Sequence, residues 1–210
     1  MSRPIPPIPG RRRIHRGVGL VEMLIALAIS AALLASVGVA IDASFDAYAI
    51  NQSQAQLDQR ARLTMHRVTS TFRTAAHHEP DDASARAEYE AGLVTETDAV
   101  RVYDDEFSGT IFRVSNGALV MVPFVASGGS VSEGTPRTLL SGVSTGDFRV
   151  TLEPQRSAQS VKVGGTHDQL KRASVTITAR PGDATTLEGE RRTGQPVTLS
   201  TSIMPRRNLW

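Results

Sequence analysis

The chain has 210 residues, 40% of them hydrophobic, 21% charged and none of them cysteine. That size and balance suit one or two modest domains and argue against a disordered or collagen-like polymer, and the missing cysteines exclude a disulfide scaffold and a thiolate metal site. Residues 1–17 hold Arg3, Arg11, Arg12, Arg13 and Arg16 with no acid, so the net charge of +2 becomes −3 from Val18 onward, with 18 basic against 21 acidic residues. Beyond the N-terminus the two signs are interspersed, with no basic stripe and few aromatics, so nucleic acid is not an expected partner.

The first predicted element is apolar. Residues 18–41 carry 19 Ala, Val, Ile, Leu or Met in 24 positions. At a rise of about 1.5 Å per residue they span roughly 36 Å as a helix, enough for a hydrocarbon core about 30 Å thick. The positive-inside rule keeps the Arg cluster in the cytoplasm and sends everything after Ile41 to the other side. A secretory signal, a permanent anchor and a buried helix are the ordinary readings of such a segment. This one exceeds the apolar length of about 7 to 15 residues usual in a signal peptide, and it carries a carboxylate, Glu22. A charged side chain at the centre of a spanning helix costs about 2.5–3.5 kcal/mol on insertion scales, so Glu22 either snorkels to water or meets a cation.

The run Arg16-Gly17-Val18-Gly19-Leu20-Val21-Glu22-Met23-Leu24 resembles the type IV prepilin signature. The resemblance implies cleavage by a prepilin peptidase between Gly17 and Val18, N-methylation of Val18, and a charge-pairing role in assembly for Glu22. The leader charges would be Arg11, Arg12, Arg13 and Arg16. The new amino terminus, with a reference pKa of about 7.7–8.0, is a cation that a neighbouring subunit's Glu22 could meet. Two positions depart from the family's habit, Val18 where Phe is usual and Gly19 where Thr is usual.

No proline lies between Val18 and Pro80, so the helix is expected to run on to about Ala76, some 59 residues. Ala61, Met65, Val68, Phe72 and Ala75 recur at three- and four-residue spacing, while Arg60, Arg62, Arg67 and Arg73 mark other faces. Ser36 and Gly38 are its only weak points in the first half. The stretch Gln56 to Arg73 is similar to the corresponding part of larger minor pilins and J-type pseudopilins.

The polar run His77-His78-Glu79-Pro80-Asp81-Asp82 is read as a break, with the two histidines solvated, and the chain beyond it as β-branched and turn-rich. Strands are predicted at Ala99 to Tyr103, Thr110 to Ser115, Ala118 to Phe124, Gly146 to Leu152, Arg172 to Arg180 and Pro196 to Met204. Asn116-Gly117 signals a type I′ hairpin. Phe148, Val150 and Leu152, Val175 and Ile177, and Val197, Leu199 and Ile203 alternate with polar residues, the pattern of an antiparallel sheet with one face buried, here under the helix stripe. Ala126 to Pro136, Pro154 to Leu170 and Pro181 to Gln195 read as loops. Leu139 to Val143 and the closing strand through Pro205-Arg206-Arg207-Asn208 also resemble elements of larger minor pilins.

Catalytic signals are scarce. There is no thiol, no Gly-x-Ser-x-Gly elbow, no phosphate loop and no His-Glu-x-x-His. Asp104, Asp105 and Glu106 form a weak metal candidate, suggested by calcium sites in some pseudopilin heads, but they lack EF-hand spacing. Arg191-Arg192 and Arg206-Arg207 read as solvated surface.

The expected fold class is α+β and pilin-like, a long N-terminal helix packed on an antiparallel β-sheet head. The expected organisation is a leader (1–17), a transmembrane or assembly half-helix (18–41), an amphipathic half-helix (42–76) and a β-rich head (77–210). The resemblance implies a structural minor pilin or pseudopilin of a type IV pilus or type II secretion pseudopilus. It would be no enzyme and need no cofactor. Its partners would be the prepilin peptidase/methyltransferase, other pilin or pseudopilin subunits and the inner membrane, with the N-terminus cytoplasmic and the head outside. A permanently anchored binding module for DNA, glycan or protein is the alternative.

Overall fold

The structure is a computed structural model that describes residues 19–104, 107–127, 130–155, 169–181 and 195–205. In chain order the elements are α1 (Leu20–Thr74), β1 (His77–Pro80), α2 (Ala83–Glu90), β2 (Thr95–Thr97), β3 (Ala99–Tyr103), β4 (Ser108–Ser115), β5 (Ala118–Ser127), β6 (Ser130–Glu133), β7 (Arg137–Ser141), β8 (Phe148–Gln155), β9 (Gln169–Ala179) and β10 (Val197–Ile203). The expected α+β class, a long N-terminal helix followed by antiparallel strands, is the class observed. Compactness divides the chain at Ala47/Tyr48.

In the first unit, α1 is unbroken through Ser36 and Gly38. Its large apolar side chains from Leu20 to Phe45 are each at least half exposed. In the second unit the same helix buries Leu57, Ala61, Met65, Val68 and Phe72, the stripe read from the spacing. Helical hydrogen bonding reaches Ala75, whose N–H meets the Thr71 carbonyl at 3.1 Å; the next N–H, of Ala76, donates to Tyr103 at 2.8 Å and joins the chain to β3.

The head differs from the single sheet expected. Among the described residues there are two antiparallel sheets: six strands in the order β1-β3-β4-β5-β6 with β7 also on β5, and four in the order β10-β9-β8-β2. One buried cluster joins the helix stripe to Val100, Val102 and Phe112 of the first sheet and to Phe148, Val150, Val175 and Ile177 of the second. A smaller cluster, Ile111, Val120, Val122 and Phe124, lies on the opposite face of the six-stranded sheet, because alternate residues of a strand point to opposite faces.

The six predicted strands are present, and Asn116 (φ 52°) and Gly117 (φ 72°) make the two-residue hairpin between β4 and β5. Four short strands and one helix add to the expected elements: β1, β2, β6 and β7, and α2. Helix α2 has clear local causes. The Asp82 carboxylate accepts from the N–H groups of Ser84 (2.9 Å) and Ala85 (3.0 Å). At its other end Gly92 takes φ 86°, its N–H donating to Tyr89 while that of Leu93 donates to Glu88, a Schellman closure. Strand β6 falls within the expected Ala126–Pro136 loop. The expected loops at 154–170 and 181–195 lie mostly outside the described residues.

Pro123 is tolerated inside β5 for a geometric reason. β7 pairs with β5 up to Met121 and β6 pairs from Phe124 onward, so Pro123 lies in the gap between them. There its carbonyl accepts from Gly134 at 2.7 Å, and the N–H it lacks would face the same unpaired side.

Gly142 (φ 74°) and Gly146 (φ 87°) separate backbone strain from steric exclusion. A Cβ on Gly142 would lie 2.0 Å from the Arg180 carbonyl oxygen, whereas one on Gly146 would meet nothing within 4 Å. Gly146→Ala should cost about 1–2 kcal/mol from the left-handed backbone alone, and Gly142→Ala clearly more, at about 3 kcal/mol or above. Thermal unfolding of the two variants beside the parent checks the order.

Candidate functional site

Two regions stand out as candidate sites, the exposed half of α1 and the ionic face of the head. Glu22 lies in the first turn of α1, where a carboxylate suits the positive end of the helix dipole. It is exposed, as are Leu20, Val21, Met23, Leu24 and Ile25 around it. The helix is long and apolar enough to cross a membrane, and no part of its most apolar 18-residue window is buried. Apolar surface of that extent needs a cover, which lipid or other copies of such a helix would supply. Gly17, Val18, Arg11, Arg12, Arg13 and Arg16, the remaining residues of the predicted N-terminal site, lie outside the described residues.

The weak metal candidate is only partly visible. Asp104 is exposed, and its N–H donates to Ser108 at 2.9 Å. Asp105 and Glu106 lie outside the described residues, and among the described residues no three His, Asp or Glu side chains converge as a metal site. Arg191, Arg192, Arg206 and Arg207 are likewise outside them.

The reading of His77 and His78 as a solvated pair in a break is corrected. Both belong to β1, paired with Tyr103 and Val102 of β3. His78 is buried, its ring stacked on Phe72 at 5.2 Å between centroids. Its Nε2 lies 2.9 Å from the Phe72 carbonyl, to which the neutral ring's Nε2–H donates. The Ala76 N–H that a continuing helix would bring to that carbonyl donates to Tyr103 instead, so His78 serves as a side-chain cap. Tertiary packing on Phe72 overrides the polar character of the local sequence.

β1 also begins an ionic network that sequence reasoning missed. Glu79 stands opposite Arg101 across the strand pair, and its carboxylate accepts from the Tyr103 hydroxyl at 2.7 Å. Arg101 approaches Glu79 at 3.5 Å and Asp81 at 2.6 Å, and Arg86 reaches Glu79 at 3.6 Å. Arg113 grips both oxygens of Glu133, at 2.8 and 2.6 Å, and comes within 3.9 Å of Asp81. These groups share the sheet face that carries the smaller apolar cluster, over which Tyr103 meets Phe124 edge to face at 4.9 Å. Burial, and then the bond to Glu79, push the Tyr103 hydroxyl up to about 12, so it remains a donor at any ordinary pH. The bidentate Arg113 holds the Glu133 carboxyl below its usual range. The charges neutralise one another, an arrangement suited to holding strands together. The period-two run Arg101, Tyr103 on β3 opposite Glu79 was the available signal, but it becomes readable only once β1 is recognised as a strand.

A family profile described as "Prokaryotic N-terminal methylation motif" matches residues 12–38. It spans Gly17, Val18 and Glu22 together with the start of α1. No curated protein and no solved structure matches the chain significantly.

Burial holds the His78 ring far below its ordinary value, at about 4, with the charge of His77 acting in the same direction and the bond to Phe72 opposing them. Between pH 6.5 and 4 the unfolded chain binds a proton that the folded head refuses. Stability is therefore full above pH 6.5, falls on acidification through that window by on the order of 3 kcal/mol, and levels off below pH 4 as far as this group is concerned. His78→Gln, which keeps a donor and removes the titration, should be less stable at pH 7 but lose less between pH 6.5 and 4.5. Urea unfolding of both chains at several pH values checks the difference in slope.

Proposed function

The chain carries the N-terminal motif of the type IV pilin-like family, and on that premise we propose that it is a structural minor pilin or pseudopilin. It is made as a membrane-inserted precursor with its Arg-rich leader in the cytoplasm and its head on the other side. The prepilin peptidase/methyltransferase removes residues 1–17 and methylates the new N-terminal Val18. The mature subunit then joins other pilin or pseudopilin subunits in a type IV pilus or type II secretion pseudopilus.

The observation that carries this reading is the coincidence, within residues 12–38, of the matched motif with a helix whose apolar side chains are exposed. A helix that only anchors a head needs neither Glu22 nor a cleavage site before it. In an assembly the two needs answer each other. Cleavage after Gly17 creates an amine four residues before Glu22, and in a low-dielectric bundle a neighbour's amine is the cation that offsets the cost of the carboxylate. Methylation retains that positive charge. The ionic and hydrophobic packing of the head then serves to present a rigid surface on the filament, with no catalytic role assigned to it.

Processing is checked by expressing the full chain with a prepilin peptidase and weighing the product intact. Loss of residues 1–17 with gain of one methyl group is expected, and an uncut chain in the presence of an enzyme active on another prepilin would refute the reading in favour of a permanent anchor. Glu22→Leu should insert in the membrane as well as the parent, be cut normally and be incorporated into filaments at least ten-fold less, a deficit of about 1.4 kcal/mol or more in assembly. Quantifying the subunit in sheared filaments and in membranes separates the two steps.

A further inference from the structure

The edges of the two sheets are not alike. On the six-stranded sheet, β1 has four residues that include Glu79 and Pro80, β6 has four that end in Glu133, and β7 begins at Arg137 with a register shift against β5. On the four-stranded sheet, β2 has three residues with Glu96 in the middle. Short length, charge, proline and irregular register are the devices by which exposed edges avoid pairing with other chains. β10 has none of them. It is seven residues long, Val-Thr-Leu-Ser-Thr-Ser-Ile, without charge or proline, and its register against β9 is unbroken from Val197 to Ile203. Among the described residues it pairs on one side only, with β9, so alternate N–H and C=O groups along its other side have no strand to meet.

We propose that β10 is a self-recognition edge, where a second copy of this chain adds its own β10 antiparallel about a two-fold axis through Ser200. The sequence of the strand is what selects this occupant. With Ser200 opposite itself, Val197 stands opposite Ile203 and Leu199 opposite Thr201 on the face turned to the core. Thr198 stands opposite Ser202 on the outer face. Apolar residues meet apolar or β-branched ones, hydroxyls meet hydroxyls, and no like charges are opposed. The same hydroxyl pairing is already made on the β9 side, where Thr198 lies 3.0 Å from Thr178 and Ser200 lies 3.1 Å from Thr176. Val197, Leu199 and Thr201 are only partly buried, so a second strand has side-chain surface left to cover. A two-fold pairing of edges is closed, and assembly through it stops at two.

This inference stands apart from the reading of the N-terminus, since it needs no cleavage at Gly17. The native chain has no cysteine, which permits a test by register. In full-length protein in detergent micelles, Ser200→Cys should form a disulfide-linked dimer on mild oxidation, because directly opposed Cα atoms about 4.5–5.5 Å apart fall within disulfide reach. Thr198→Cys alone should cross-link at least ten-fold less, its two copies being about 14 Å apart along the strands. A mixture of Thr198→Cys and Ser202→Cys chains should restore the cross-link between unlike partners. All three positions are exposed, and circular dichroism verifies that each variant is folded. Equal cross-linking at positions 198 and 200, the mark of random collision in a micelle, overturns the proposal. So does the absence of any cross-link in folded protein, which would leave the edge to another protein or to none.

Discussion

The interaction on which the rest depends is the burial of one stripe of α1, from Leu57 to Phe72, by strands of both sheets. Val68 and Phe72 are wholly buried, and each large apolar side chain taken out of water contributes about 1.5–3 kcal/mol. Neither sheet could bury its own inner face without that stripe, and a lone amphipathic helix has little stability of its own in water. Toward its N-terminus the same helix keeps its apolar residues exposed. Two unlike apolar surfaces thus share one uninterrupted element, and the chain's division into units falls within that helix.

A second layer of organisation holds the ends of the stripe. β1 is a poor strand by composition, with two histidines, a glutamate and a proline in four residues. It is kept in the sheet by what its side chains meet: His78 on Phe72 and its carbonyl, and Glu79 on Arg101, Arg86 and Tyr103. Partly buried charges are costly to leave unpaired and contribute modestly when paired, so the network acts more on which strands adjoin than on total stability. The helix end, the edge strand and the small outer apolar cluster are held as one piece by it.

Much of this is readable from the sequence, and the misses have physical causes. The long helix, its buried stripe, the Asn116-Gly117 turn and the six predicted strands follow from local patterning, which can be seen without knowing their neighbours. β1, β2, β6 and β7 have three to five residues each and exist because a neighbour offers hydrogen bonds, information that is not local. α2 is different, because Asp82 and Gly92 are visible caps around a short helix, masked by polar, β-like surroundings. The assignment of β2 to the four-stranded sheet rests on its pairing with β8 across some fifty intervening residues, which periodicity cannot express. Of the candidate site, Glu22 and its place at the start of α1 are legible because the motif is contiguous. His78 and the Glu79–Arg101 cluster are not, since each is assembled from separate elements.

The position of β2 has a consequence for the order in which the molecule can be built. Its chain neighbours β3 to β7 all belong to the six-stranded sheet, yet β2 belongs to the other, whose remaining strands come last in the sequence. A chain emerging from the ribosome or a membrane pore can form the β3–β4–β5 meander early, from contacts between adjacent segments. It cannot lock β2, nor complete the buried cluster that the helix stripe shares with Phe148, Val150, Val175 and Ile177, until β8 and β9 have been made. The head therefore closes late and as a whole, with its earliest segments clasped by its latest. A nascent chain stalled before Gln155 would display a long helix whose apolar stripe is still partly uncovered, the kind of surface on which chaperones act.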